Sequence, residues 1–114
     1  MDLNRWEAMG YVGQEPRVEE YAEGKKRAHF SLAVHRRDAE GEEVTDWFDL
    51  VAFGRLAETV ENLVRQGTRL YVEAELRDNR WQDQDGNTRR RVDIVARRIR
   101  LLSPPPEGYE DEED

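Results

Sequence analysis

The sequence predicts an all-β fold, a five-stranded barrel with one short helix between its third and fourth strands. Three observations carry that reading. Apolar residues alternate at period two over most of the chain, one stretch switches to helical spacing, and the connections between segments are short, polar and contain glycine. A chain of 114 residues has room for one core and not for two.

Ala28, Phe30, Leu32 and Val34 share one face of a strand, with His29, Ser31, Ala33 and His35 on the other. The segment 38–43 is a polar connection, after which 44–53 resumes as strand, with Phe48, Leu50 and Ala52 on one face and Trp47, Val51 and Phe53 opposite. Beyond Gly54 the period changes: Leu56, Val60, Leu63 and Val64 stand at i, i+4, i+7 and i+8, a short amphipathic helix stopped by Gly67. Residues 68–76 return to strand, Leu70, Val72, Ala74 and Leu76 inward and Arg69, Tyr71, Glu73 and Glu75 outward. Asp85-Gly86 suits a hairpin turn, and a last strand carries Val92, Ile94 and Ala96 on one face. This is the element order of an OB-fold barrel, although a small open α+β sheet shares it. Residues 1–102 form the expected domain. The tail 103–114 opens on Ser103-Pro104-Pro105-Pro106 and ends in acids, a composition that predicts disorder.

Mean hydropathy is −1.00, which leaves no apolar run for a membrane span. The first residues show no basic-then-apolar signal, so a cytoplasmic location is expected. Zero cysteines exclude disulfides and thiol catalysis, and two isolated histidines, His29 and His35, argue against a metal site; no cofactor is expected. Net charge is −8, yet six of the 26 acids lie in the last eight residues, and residues 1–106 hold 20 acids against 18 bases. Within that body Arg89, Arg90, Arg91, Arg97, Arg98 and Arg100 are accompanied only by Asp93, a local surplus of +5 suited either to a phosphate backbone or to a solvated strand face.

A surface that stacks bases needs flat side chains off the core face with arginines nearby. Trp47 and Phe53 share such a face, and Trp81, in the hairpin after Arg77 and Arg80, has the parity of Arg69 and Tyr71. One such aromatic is more often core than contact. Three off the core face favour a nucleic-acid platform.

These residues sit in longer motifs. Asn4-Arg5, Gly10, Pro16 and the run 28–34, then 45–58, 67–77 and 81–87, resemble in order and spacing the bacterial single-stranded DNA-binding proteins, most specifically over 45–87. The resemblance implies that Trp47, Phe53 and Trp81 stack on bases, that Arg55, Arg77, Arg80 and Arg89 lie along the strand path, and that the chain forms a homotetramer with a disordered acidic tail. It implies single-stranded DNA as partner, in replication, recombination and repair, at the nucleoid. Arg36 and Arg91 are read as further phosphate contacts. The sequence departs from the family in three places. Arg36-Arg37 stand where some members carry a further stacking Trp, Trp6 replaces an aliphatic residue, and the tail lacks the apolar tip that docks protein partners, which argues against such docking here.

An enzyme would need an activated nucleophile, a metal cluster or a positioned acid-base pair, and none is visible. In Asp83-Gln84-Asp85-Gly86 the calcium-loop register would put Trp81 and Val92 at ligand positions, so the segment reads as a turn. The rival is an OB-fold interaction module of the primosome-accessory type with weak DNA binding. The intact Trp47, Phe53 and Trp81 argue against it.

Overall fold

The computed structural model describes residues 1–104 and 106; the predicted acidic tail therefore lies almost wholly outside the described residues. Six strands and one helix follow in order: β1 (Trp6–Val12), β2 (Arg17–Ala22), β3 (Lys25–Arg37), β4 (Glu43–Phe53), α1 (Arg55–Leu63), β5 (Arg69–Gln82) and β6 (Thr88–Leu101). The sheet runs β1-β5-β6-β4-β3-β2, and β1 also pairs with β3 through Tyr11↔Ala33 and Val12↔Leu32. Strands β1, β3, β4, β5 and β6 thus close the expected five-stranded barrel, with α1 between its third and fourth strands.

The sixth strand is the addition. β2 forms a two-residue hairpin with β3 at Glu23-Gly24, where Gly24 has φ of 70°. Its sequence, Arg-Val-Glu-Glu-Tyr-Ala, shows no apolar alternation because β2 lies at the sheet edge and only Val18 packs against the core.

The core is where period two put it. Ala28, Phe30, Leu32, Leu50, Ala52, Leu70, Val72 and Ala74 are buried, and α1 closes one end of the barrel with Ala57 and Val60, followed by its C-cap Val64. The helix ends at Leu63, short of Gly67; that glycine instead carries φ of 87° and its N–H donates to the Val12 carbonyl at 2.8 Å. Closure needs a second glycine. A Cβ on Gly10 would stand 2.3 Å from the Ala33 carbonyl oxygen, so β1 can approach β3 only without a side chain there. Trp6 packs edge-on against Phe48 at 5.4 Å and helps cover the core.

Three expectations of parity fail for stated reasons. Leu76 and Val92 are 39% and 56% exposed, because β5 and β6 outrun the barrel and continue as a free two-stranded ribbon. Ile99 is core although Val92, Ile94 and Ala96 set the opposite parity: the register shifts at Glu73/Ala74, leaving Arg97 as the extra residue of a bulge. Ala33, assigned to the outer face, is buried where β1 crosses β3.

Candidate nucleic-acid interface

Paired residues of neighbouring strands share a face, so the register can be read across the barrel wall. On the outer face Glu19 pairs with Arg27 and Arg27 with Phe53; Arg17 pairs with His29 and His29 with Val51; Ala33 pairs with Trp47. The parallel pairing of Val51 with Val95 carries the same face onto β6, where Asp93, Arg91 and Arg89 follow at period two. Arg77↔Asp93, Asn79↔Arg91 and Trp81↔Arg89 extend it along the ribbon. A groove of about 1010 Å³ runs over this face, lined among others by Trp47, Phe53, Arg17, Arg27, His29 and Arg91.

Trp47 is 61% exposed, Trp81 43% and Phe53 38%, so all three stand off the core face as their parity predicted. Exposure does not leave Trp47 loose. A Cβ on Gly13 would lie 2.2 Å from its Cζ3, which means the indole rests directly on the Gly13 backbone. Phe53 meets Tyr21 edge-on at 5.9 Å, and the Arg91 guanidinium lies 5.4 Å over the Trp81 ring.

The arginines are placed less uniformly. Arg77, Arg89 and Arg91 are on the face of Trp81, and Arg55 opens α1 two residues after Phe53. Arg80 pairs with Arg90 on the other side of the ribbon, and Arg36 shares the face of Val34 and Asp46 rather than that of Trp47. Nor is the basic stretch a bare +5 surface, as its sequence suggested. Glu75 holds Arg77 at 2.6 Å and Arg97 at 2.9 Å, Asp78 holds Arg80 at 3.0 Å and Arg90 at 2.9 Å, Asp83 holds Arg89 at 2.8 Å, and Asp93 holds Arg91 at 2.7 Å. The acids come mostly from β5 and the turn, which a count along β6 cannot see.

The carboxylates register these partners. Glu75 is held below the usual range chiefly by its bond from Arg77, and Glu19 by its bond from Arg27. For Asp83 the largest cause is the Asn87 backbone N–H, with Arg89 adding to it. Asp46 raises Arg36 in the same way. Exposed pairs of this kind are screened by solvent and weak, so another anion can exchange for the carboxylate.

Sequence reasoning does not single out Tyr21 and Arg17, because β2 shows no strand pattern, nor Arg27, because β3 begins three residues before the alternation that starts at Ala28. The signal was the Glu23-Gly24 turn between two polar runs. Among the described residues no three His, Asp or Glu side chains converge as metal ligands, and no helix is long and apolar enough to cross a membrane.

Known proteins show the same architecture. The model of the single-strand binding protein family matches residues 3–102. A single-stranded DNA-binding protein of Bacteroides thetaiotaomicron is 36% identical over 110 residues, 91% of this chain and 68% of that protein. Single-stranded DNA-binding protein 1 of Synechocystis is 32% identical over 95 residues, covering 83% and 78% of the two chains. Among solved structures, a Plasmodium falciparum SSB complex with ssDNA superposes with a TM-score of 0.77 at 25% identity, covering 90% of this chain and 97% of that one. With the closed barrel, the intervening helix and a family match spanning nearly the whole described chain, this protein belongs to the single-strand binding protein family.

Proposed function

We propose that this chain binds single-stranded DNA without reading its sequence and protects it during replication, recombination and repair. The observation that carries the reading is the placement of Trp47, Phe53 and Trp81 together on one open sheet face, away from the core and beside a groove. Unpaired bases stack on such rings whatever their identity, at about 1–3 kcal/mol per base, whereas duplex bases are already stacked on each other. Arg55, Arg77, Arg89 and Arg91 take phosphates along that face, and Arg36 and Arg80 take them where the strand passes around the barrel end and the ribbon. A guanidinium can exchange a carboxylate for a phosphate in the same fork geometry.

In this reading residues 1–102 are the binding domain and 103–114 an acidic tail. The protein acts by binding and not by catalysis, assembles as a homotetramer, and works in the cytoplasm at the nucleoid. The experiment is a titration with oligo(dT) followed by tryptophan fluorescence, paired with sedimentation of the free and bound protein. Strong quenching and a fourfold assembly are expected. Unchanged emission at saturating oligonucleotide would instead favour a protein scaffold that touches DNA weakly.

A further inference from the structure

The β2–β3 hairpin brings to the groove a set of side chains that the three aromatics and their arginines do not account for. β2 is in register with β3 until Glu20↔Lys26, then slips before Ala22↔Lys25, so that Tyr21 is the extra residue of a bulge. A bulge re-aims the side chain it carries. Here the Tyr21 ring stands 46% exposed, at 85° to the Phe53 ring and 5.9 Å from it, with the Arg27 guanidinium 5.4 Å over its face.

Arg27 is held from the other side. Its Nη2 and Nε donate to the same Glu19 oxygen, at 2.7 and 3.0 Å, and His29 Nε2 lies 3.6 Å from that oxygen. Arg17, two residues before Glu19 on the same face of β2 and paired with His29, adds a second guanidinium near that carboxylate, and Arg17, Arg27, His29 and Phe53 all line the groove. A single anionic oxygen held by a guanidinium, with an imidazole nearby and an exposed ring alongside, is a geometry in which a nucleotide's phosphate and base would be received together.

We propose that the hairpin is a further nucleotide subsite: Tyr21 receives the base that follows the one on Phe53, and its phosphate displaces Glu19 from Arg27. This rests on the binding face proposed above. Glu19 then acts as an internal competitor that keeps Arg27 ordered when no strand is bound and weakens this end of the site. The subsite is engaged only by strands long enough to run past Phe53.

The test uses the full chain, oligo(dT) of graded length and a salt series, with Trp47→Ala as reference. Tyr21→Ala is expected to weaken binding about 5-fold or more for long strands and to leave the shortest bound strands unaffected, since one stacked base is lost. Tyr21→Leu, which keeps apolar bulk at the hairpin, should show the same length-dependent loss, and Tyr21→Phe should restore binding. Glu19→Gln is expected to tighten binding of long strands at low salt and to steepen the salt dependence by about 0.7, because no displaced carboxylate then takes up a cation in place of the one the phosphate releases. The same charge change on the helix, Glu58→Gln, should alter neither the length dependence nor the slope. If Tyr21→Leu and Glu19→Gln bind every length as the parent does while Trp47→Ala is weakened, the subsite is wrong and the general binding face stands. If Trp47→Ala also binds like the parent, the binding face itself is wrong.

Discussion

The Arg91 guanidinium lies 5.4 Å over the Trp81 ring while its Nε donates to Asp93 Oδ1 at 2.7 Å. The Trp81 ring is therefore partly covered by a cation that is itself held in place. On the proposed binding face, a base arriving at Trp81 would displace Arg91 sideways and leave its guanidinium next to the incoming phosphate. Arg91→Ala should consequently make the salt dependence of oligo(dT) binding shallower by about 0.7, measured as the slope of log affinity against log salt. An unaltered slope would place Arg91 off the strand path.

Trp47→Ala, Phe53→Ala and Trp81→Ala should each weaken oligo(dT) binding by about 1–3 kcal/mol with little change in melting temperature, because these rings are exposed and the core does not use them. Trp6→Ala should do the reverse. It removes the edge contact to Phe48 at 5.4 Å and should lower stability by about 2 kcal/mol, with affinity of the folded protein unchanged. Thermal melts run beside the titrations separate the two classes.

Gly13 and Gly10 are both steric keys, with different readouts. At Gly13 an added methyl would meet the Trp47 ring at 2.2 Å, and at Gly10 the Ala33 carbonyl at 2.3 Å. A ring can swing aside, whereas paired backbone cannot. Gly13→Ala should thus shift Trp47 emission and weaken binding while the barrel stays folded, and Gly10→Ala should cost about 1–3 kcal/mol of stability. Equal melting temperatures for Gly10→Ala and the parent would contradict the close approach of β1 to β3.

The ribbon turn should respond to acid. Asp83 Oδ1 accepts the Asp85 and Asn87 N–H groups at 3.0 and 2.9 Å, and Oδ2 accepts from Arg89 at 2.8 Å, which together hold the carboxyl below its usual range. A depressed folded value means the contribution is complete above the ordinary Asp value near 3.9 and is lost as pH falls through the lower folded one. Protection of the Asp85 and Asn87 amides, taken as exchange relative to the intrinsic rate at each pH, should therefore fall only in strong acid. In Asp83→Ala that protection should be absent at every pH.

Alternation at period two placed β3, β4 and the barrel part of β5 correctly, since residues such as Phe30, Leu50 and Val72 must alternate wherever one face is core. It misled where the strand and the core part company. Leu76 and Val92 keep core parity in a ribbon that has no core behind it, and Ile99 regains the core only through the bulge at Arg97. The three exposed aromatics were legible because a large ring of the wrong parity is conspicuous. The carboxylates that hold the arginines were not, because Asp78 reaches Arg90 and Glu75 reaches Arg97 across a register that no local window contains.

The barrel wall joins β4 to β6 through only two parallel pairs, Leu50↔Ile94 and Val51↔Val95, and β1 to β3 through only two antiparallel ones. The long hairpins β3–β4 and β5–β6 can zip from their own turns, whereas Leu50↔Ile94 and Trp6↔Ala74 join strands with no turn between them. Loop closure must precede any gain from such joins, so the hairpins form first and sealing the cylinder is the slow event in folding. The two narrow seams, β4–β6 and β1–β3, are where the wall would part under tension, with β1, β5 and β6 peeling away as one unit because six pairs still join β1 to β5.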